Sequence, residues 1–117
     1  PSYPSELGPL PGAGALLAVI STATGVQPLL IGKPGPIVFQ EAVKRLGGDP
    51  SNVAMVGDRL STDIAGAKGV GLRAILVLSG ISTRDEATTG PIRPDYILDD
   101  ITAVADFLAH QETPAHV

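Results

Sequence analysis

The sequence predicts an α/β fold in which a parallel β-sheet is covered by helices. Two uninterrupted apolar runs, residues 53–56 and 74–78, are typical of strands buried on both faces, as the strands of parallel sheets are. Segments with helical periodicity accompany these runs, and the many Gly and Pro residues fall between the segments. Because strands and helices alternate along the chain, right-handed crossover connections between parallel strands are expected.

Length and composition limit what the chain can be. Its 117 residues suit one domain with an aliphatic core, since the chain has two Phe, two Tyr and no Trp. A net charge of −4 without a basic stripe argues against a nucleic-acid partner. The absence of Cys excludes disulfides, a thiolate nucleophile and a zinc–thiolate site. No apolar run is long enough to span a membrane and no signal segment opens the chain, so we expect no membrane partner and a cytoplasmic location.

The amino-terminal part of the sequence predicts a linker and two helices. Residues 1–10 are aperiodic and rich in Pro, which predicts a linker. A first helix ends at Gly25, and a short extended run over residues 28–32 follows. Pro36 can begin a second helix that ends at Gly47-Gly48. The apolar residues at helical spacing are Leu16, Val19, Ile20 and Ala23 in the first helix, and Phe39, Ala42, Val43 and Leu46 in the second.

The rest of the sequence alternates strands with helices. Residues 53–56 are predicted to form a strand, and a helix over residues 63–68 is predicted to follow it, with Thr62 as a plausible N-cap. Further strands are predicted over residues 74–78 and 96–98. A last helix carries its apolar residues on one stripe, which consists of Ile101, Val104, Ala105 and Leu108.

Two carboxylates follow the strand over residues 53–56. Asp58 comes directly after Gly57, which leaves room for a close approach, and Asp63 comes five residues later. Open α/β sheets bind ligands at the carboxyl ends of their strands, where carboxylates can hold a hard cation. The residues alone are equally consistent with a structural role, in which Asp58 turns the chain and Thr62 and Asp63 cap the helix. Arg59 would either contact an anion or pair with Asp63.

Lys33 stands in the string Gly32-Lys33-Pro34, at the end of the short extended run. Because Pro34 disfavours helical geometry at the residue before it, Lys33 is expected to be extended. A Lys in this place could neutralise a phosphate or a carboxylate as a point charge, and the alternative is a solvated surface Lys. The string is not a Walker A motif, because Pro34 occupies the place of Ser or Thr.

Together, these strings resemble the haloacid dehalogenase-like hydrolases, and more narrowly their para-nitrophenylphosphatase or phosphoglycolate phosphatase branch. The resemblance extends from residue 11 to residue 108. Its most specific part is the string Gly-Asp-Arg-Leu-x-Thr-Asp between an apolar strand and a helix. The strings that carry the resemblance are residues 11–16, Gly32-Lys33-Pro34 with Pro36, residues 57–64, residues 75–80 and Pro94-Asp95-Tyr96.

The resemblance implies a Rossmann-like three-layer sandwich with a parallel sheet. It also implies hydrolysis of a phosphate monoester through an aspartyl-phosphate, assisted by Mg²⁺. Carried over by position, Asp58 is a magnesium ligand, while Lys33 and Asp63 are catalytic. Lys33 would steady the nucleophilic carboxylate and the transferring phosphoryl group, and Asp63 would be a supporting acid of the same motif. These residue types suit phosphoryl transfer, which needs positioned positive charge more than covalent help from the protein.

Two motifs of the family have no counterpart in this sequence. Nothing matches the Asp-x-Asp motif that supplies the nucleophile and a general acid, nor the strand-end Ser or Thr that binds phosphate. The cap that selects the substrate is missing too. We therefore expect the carboxyl-terminal portion of such an enzyme, an incomplete half without the nucleophile strand and the cap. Residues 11–110 are assigned to the core domain, residues 1–10 to a linker from the missing cap, and residues 111–117 to a frayed tail.

Two functions remain as alternatives. In the first, the chain is half of a phosphatase for a small phosphorylated metabolite, inactive alone and competent with its other half. In the second, it is a non-catalytic binding or interaction module derived from the same fold. The strand over residues 53–56 is expected to have an unpaired edge, because its family neighbour is missing. Such an edge favours a homo-oligomer or pairing with the missing amino-terminal half.

Overall fold

The computed structural model describes residues 2–111, except for the side chain of Gln111. Within this range, no helix is both long enough and apolar enough to cross a membrane. The chain divides into two compact units, Pro1–Leu30 and Ile31–Val117, and their boundary falls inside the range predicted as one domain. The predicted tail starts at the last residue of a helix, and residues 112–117 lie outside the described range. The assignment of the segments to a cap linker, an enzyme core and a tail stays a prediction.

The first unit contains a short antiparallel ladder and one helix. Strand β1 (Ser2–Tyr3) pairs with strand β2 (Leu10–Pro11), so the segment predicted as a linker folds back on itself. Helix α1 (Ala13–Thr24) follows and ends at Gly25 in the left-handed conformation, as predicted. The run over residues 28–32 joins neither of the sheets in the described range.

The second unit is a three-stranded parallel sheet with helices between its strands. In chain order it contains α2 (Pro36–Leu46), a 3₁₀ turn (Pro50–Asn52), β3 (Ala54–Gly57), a π-helical segment (Leu60–Ile64), α3 (Ala65–Gly69), β4 (Arg73–Val77), α4 (Arg84–Thr89), β5 (Tyr96–Leu98) and α5 (Ile101–Gln111). Strand β4 is central and pairs in parallel with β3 on one side and with β5 on the other. The loops that follow β3 and β4 therefore meet at the carboxyl edge of the sheet.

The two faces of the sheet carry separate apolar clusters. On β4, Ala74 and Leu76 belong to the cluster that includes residues of α2, α3 and α4. Ile75 and Val77 belong to the other cluster, where Val104 of α5 packs against them. This division follows because successive side chains of a strand point to opposite faces of the sheet. Helices cover both faces, and the predicted three-layer α/β fold with a parallel sheet is confirmed.

The segment after β3 differs from the sequence prediction. In place of a helix over residues 63–68 capped by Thr62, a π-helical segment continues into α3, and no side chain caps either of them. The wide turn forms because the carbonyl oxygen of Arg59 accepts hydrogen bonds from the N–H groups of both Asp63 and Ile64, at 3.0 and 3.3 Å. The predicted N-cap role of Thr62 is therefore wrong.

Strand β3 forms one edge of the parallel sheet. Among the strands that the structure describes, it pairs with β4 alone, which agrees with the unpaired edge expected at residues 53–56. Association through this edge stays a prediction.

Candidate active site

Asp58 lies at the carboxyl edge of the sheet, directly after β3. Its Oδ2 accepts a hydrogen bond from the backbone N–H of Ile81 at 2.9 Å. Its carbonyl oxygen accepts another from the backbone N–H of Ser82, also at 2.9 Å. Ile81 and Ser82 belong to the loop after β4, so the loop of the neighbouring strand holds Asp58 on both its side chain and its backbone.

Asp63 is the buried acid of this edge, with a side chain only 5% exposed. The π-helical segment turns its carboxylate back toward the end of β3, where Oδ2 accepts a hydrogen bond from the N–H of Arg59 at 3.2 Å. Gly57 provides the space for this approach, because a Cβ on Gly57 would overlap the side chain of Asp63. The group that approaches Gly57 closely is thus Asp63.

The ammonium of Lys33 is the counter-charge of Asp63. Nζ of Lys33 lies 2.6 Å from Oδ1 of Asp63, as a charge contact rather than an aligned hydrogen bond. Lys33 lies in a turn closed by a hydrogen bond from the N–H of Gly35 to the carbonyl oxygen of Gly32 at 2.8 Å, and the extended backbone expected at Lys33 stays a prediction. Because a buried carboxylate without a counter-charge is costly, Asp63 holds the ammonium at this edge.

One open depression of about 310 Å³ collects the predicted residues. Lys33, Asp58 and Asp63 line it together with Arg59 and Thr62. A larger depression, of about 510 Å³, lies beside α4 and shares Arg59, but none of the three predicted residues lines it. The structure therefore brings the predicted residues together, while their catalytic and metal-binding roles stay predictions.

The donor set of the depression suits a magnesium ion only in part. Asp63 is engaged by Lys33, whereas Oδ1 of Asp58 accepts no hydrogen bond within the described range. In that range no group of three or more His, Cys, Asp or Glu side chains could hold a metal ion. Mg²⁺ keeps several waters and is usually bound by one or two carboxylates together with the phosphates of a substrate. Asp58 therefore fits as one magnesium ligand and not as a complete site.

The geometry bears on two interpretations that the sequence left open, those of Asp63 and Arg59, while the choice between a turn and a cation site at Asp58 stays open. Asp63 does not cap a helix, since its carboxylate binds the N–H of Arg59 and the ammonium of Lys33. Arg59 contacts Asp63 through its backbone, and its guanidinium forms no ion pair with the residues that the structure describes.

Ser82 is a feature of the site that the sequence analysis missed. It is buried, and its Oγ accepts a hydrogen bond from the N–H of Leu60 at 3.0 Å. A single Ser shortly after an apolar strand has no characteristic spacing, so the sequence offered no signal for this contact.

Comparison with known proteins gives a family and a set of phosphatases. A family model described as HAD-hydrolase-like matches residues 30–104. An acid sugar phosphatase from Staphylococcus saprophyticus is 44% identical over 103 residues, which cover 88% of this chain and 40% of that protein. The chain thus spans about 40% of the length of this curated relative.

Solved structures of phosphatases have the same fold over most of this chain. A p-nitrophenyl phosphatase from Archaeoglobus fulgidus matches with a TM-score of 0.82 and 32% identity, covering 91% of this chain and 42% of that one. A glycerol phosphate phosphatase from Mycobacterium tuberculosis, in complex with magnesium, matches with a TM-score of 0.77 and 40% identity, covering 89% of this chain and 32% of that one. The same protein has also been solved in complex with calcium.

The family model covers more than half of the chain, and the solved relatives include p-nitrophenyl phosphatases, the branch that the sequence strings resemble. Because this match agrees with the three-layer fold around a parallel sheet, the chain belongs to the haloacid dehalogenase-like hydrolases.

Proposed function

We propose that this chain is the carboxyl-terminal part of a Mg²⁺-dependent phosphatase that hydrolyses small phosphate monoesters. The observation that carries the proposal is the 2.6 Å ion pair between Lys33 and Asp63, in the depression that Asp58 also lines. The relatives support this reaction class, since they are described as acid sugar, p-nitrophenyl and glycerol phosphate phosphatases.

Lys33 is proposed to stabilise the transferring phosphoryl group. Such a group spreads negative charge over its three equatorial oxygens, and catalysis depends mainly on positioned positive charge. The side chain of Lys33 is 47% exposed, so its ammonium can contact a ligand while it remains bound to Asp63. Because the ion pair fixes the ammonium beforehand, little reorganisation is needed when charge develops in the transition state.

Asp63 is proposed to act through Lys33. Its carboxylate lies behind the ammonium, and its other oxygen is fixed by the N–H of Arg59. Asp63→Asn would keep the shape of the side chain and remove its charge. We therefore expect this change to lower turnover less than the loss of Lys33.

Asp58 is proposed to hold Mg²⁺. Its Oδ2 is fixed by the N–H of Ile81, which leaves Oδ1 for the cation. When bound, Mg²⁺ neutralises charge on phosphoryl oxygens as a Lewis acid. The ammonium of Lys33 and a Mg²⁺ ion held by Asp58 would thus both present positive charge to a phosphate in the same depression.

The covalent step is assigned to a carboxylate outside this chain. An aspartyl-phosphate route divides one difficult displacement into two easier ones, but it requires a carboxylate in line with the phosphorus. Lys33 and Asp58 stabilise charge and cannot replace that nucleophile. We therefore expect the 117-residue chain alone to be inactive, and we propose that a segment bearing the nucleophile pairs with the free edge of β3. A homo-oligomer and a cytoplasmic location stay predictions.

A fused protein tests the proposed function. The part of the S. saprophyticus acid sugar phosphatase that this chain does not match would be joined to the chain. We expect the fusion to hydrolyse p-nitrophenyl phosphate in the presence of Mg²⁺, and the 117-residue chain not to do so. Asp58→Ala should lower turnover about a hundredfold or more, the scale observed when one preorganised charge-stabilising group is lost. Asp49→Ala should leave turnover unchanged, because the exposed Asp49 binds Ser51 in a turn outside the depression.

Circular dichroism and the melting temperature would verify that each variant folds. If a folded Asp58→Ala fusion kept full turnover, Asp58 would not be the magnesium ligand. A folded fusion without any turnover would favour the non-catalytic interaction module. Metal-dependent turnover by the 117-residue chain itself would show that the nucleophile lies within it.

A further inference from the structure

We propose that the three residues Gly80, Ile81 and Ser82 after β4, the Ser82 clamp, fix the orientation of Asp58 for Mg²⁺, with Ser82 as a positioning residue. The proposal rests on the proposed function, in which Asp58 is a magnesium ligand. It is carried by contacts between residues 22 and 23 positions apart in the chain.

Three hydrogen bonds connect the clamp to the segment that bears Asp58. The N–H of Ile81 donates to Oδ2 of Asp58 at 2.9 Å, and the N–H of Ser82 donates to the carbonyl oxygen of Asp58 at 2.9 Å. In return, the N–H of Leu60 donates to Oγ of Ser82 at 3.0 Å. The two loops therefore hold each other on both sides of Asp58, and one oxygen of its carboxylate has a fixed direction.

The Ser82 hydroxyl is the only side-chain group of the clamp that makes one of these bonds. Ser82 and Leu60 are both buried, so the bond between them lies away from solvent. Removing Oγ would leave the N–H of Leu60 without its acceptor, and water could replace it only if the loops moved apart. Such a movement would also carry the N–H of Ile81 away from Asp58.

Gly80 gives a second, independent indication that the clamp is built around Asp58. A Cβ on Gly80 would overlap the carboxylate of Asp58, so the backbone at residue 80 approaches this side chain more closely than any other residue type allows. The clamp therefore confines the carboxylate by contact as well as by hydrogen bonding.

A confined carboxylate matters for Mg²⁺ in particular. Mg²⁺ demands nearly octahedral geometry, and a site with few protein ligands depends on how each of them is oriented. Groups that orient a metal ligand typically contribute ten- to a hundredfold in metal affinity. We therefore expect Ser82 to affect Mg²⁺ binding even though it does not touch the ion.

The test compares Ser82→Ala with Ser82→Thr, which keeps the hydroxyl, and with Ser61→Ala at an exposed position of the π-helical segment. Each ¹⁵N-labelled 117-residue chain is titrated with MgCl₂, and the dissociation constant is obtained from amide shifts. Hydrogen exchange of the Leu60 and Ile81 amides is measured without metal.

Ser82→Ala should weaken Mg²⁺ binding by roughly ten- to a hundredfold and speed both exchanges at least about tenfold. Ser82→Thr and Ser61→Ala should change neither quantity.

If the role of Ser82 were only structural, the experiment would give a different result. Ser82→Ala would then lower the melting temperature while its Mg²⁺ affinity stayed that of the wild type, and the proposal would be overturned. If the wild-type chain bound no Mg²⁺, as a site with a single carboxylate allows, the same titration of the fused phosphatase decides. An unchanged Mg²⁺ affinity of the Ser82→Ala fusion would overturn the proposal. A fusion that bound no Mg²⁺ would overturn the magnesium role of Asp58, while the exchange of Ile81 would still test the clamp.

Gly80→Ala covers the case in which Ser82→Ala does not fold. Its added Cβ displaces the carboxylate of Asp58 and leaves the hydroxyl of Ser82 in place. It should weaken Mg²⁺ binding to a similar extent. Unchanged affinity in a folded Gly80→Ala chain would contradict the clamp.

Discussion

Two Lys–Asp ion pairs lie at opposite ends of the same parallel sheet and have nearly the same length. At the carboxyl edge, Nζ of Lys33 lies 2.6 Å from Oδ1 of Asp63. At the amino end, Nζ of Lys68 lies 2.7 Å from Oδ1 of Asp95. The Asp63 side chain is 5% exposed and that of Asp95 is 34% exposed, so the acid of the first pair is much the more buried, while both lysines are about half exposed.

The pair at the amino end completes the packing of the sheet. Oδ2 of Asp95 accepts a hydrogen bond from the N–H of Ala74 at 2.7 Å, and the N–H of Asp95 donates to the carbonyl oxygen of Ala74 at 2.8 Å. The hydrogen bond from Lys68 is the main reason why the pKa of Asp95 lies below its ordinary value. Ala74 and the charge of Arg73 act in the same direction, while burial opposes them. All these partners belong to α3 and β4, so we assign this pair to stability.

The pair at the carboxyl edge has a different setting. Its lysine faces the depression that Asp58 shares, at the loop positions where open α/β sheets bind ligands. An ion pair by itself therefore does not mark a functional site. The loops that surround the Lys33–Asp63 pair make it a candidate for catalysis.

The largest effect on stability is expected from a substitution that places an extra atom against the buried carboxylate of Asp63. The Cβ of Gly57→Ala would overlap Asp63, and we expect a loss of about 2–3 kcal/mol in the free energy of unfolding, as for an overpacked core. Gly69→Ala, beside Lys68 at the other end, meets no atom within 4 Å and should leave stability unchanged or raise it by up to about 1 kcal/mol. Urea unfolding measures both. Equal stability of the two variants would mean that Asp63 is not confined at Gly57.

A smaller effect is expected at the amino end. Asp95→Asn keeps an acceptor for the N–H of Ala74 and loses the charge that pairs with Lys68. Because this pair is partly exposed, we expect a loss of about 0.5–1 kcal/mol at neutral pH in urea unfolding. If Asp95→Asn lowered the free energy of unfolding as much as Gly57→Ala does, the carboxylates at the two ends of the sheet would contribute equally to stability.

The pH dependence of that loss gives a further check. Since the pKa of Asp95 is lowered in the folded chain, its contribution is fully present above the ordinary value of 3.8 and disappears as the pH falls through the lowered pKa. The difference between the wild type and Asp95→Asn should therefore shrink as unfolding is measured at decreasing pH below 3.8. A difference that stayed constant there would contradict the assignment.

Periodicity predicted the parts of this fold that depend on local pattern. The apolar runs of β3, β4 and β5 are continuous in sequence, the stripe of α5 recurs at helical spacing, and Gly25 marked the end of α1. Helix α4 has no such stripe, but its start carries a capping box that could have revealed it. Thr83 and Glu86 exchange hydrogen bonds there, and the N–H of Thr83 lowers the pKa of the Glu86 carboxyl.

The sequence predicted which residues form the candidate site, but not which contacts they make. The resemblance singled out Lys33, Asp58 and Asp63, and the fold brings them to one depression. The bond between Leu60 and Ser82, like the pair of Lys68 with Asp95, joins residues more than twenty positions apart. No periodic pattern encodes such contacts, because they depend on which loops the sheet topology places side by side.

The most direct test of the account compares the two lysines in the fused phosphatase. Lys33→Ala and Lys68→Ala each remove one ammonium from a buried or half-buried carboxylate, and the turnover of p-nitrophenyl phosphate is measured for both. We expect Lys33→Ala to lower turnover about a hundredfold or more, and Lys68→Ala to leave turnover unchanged while stability falls slightly. Equal losses of turnover in the two variants, or full turnover in a folded Lys33→Ala protein, would contradict it.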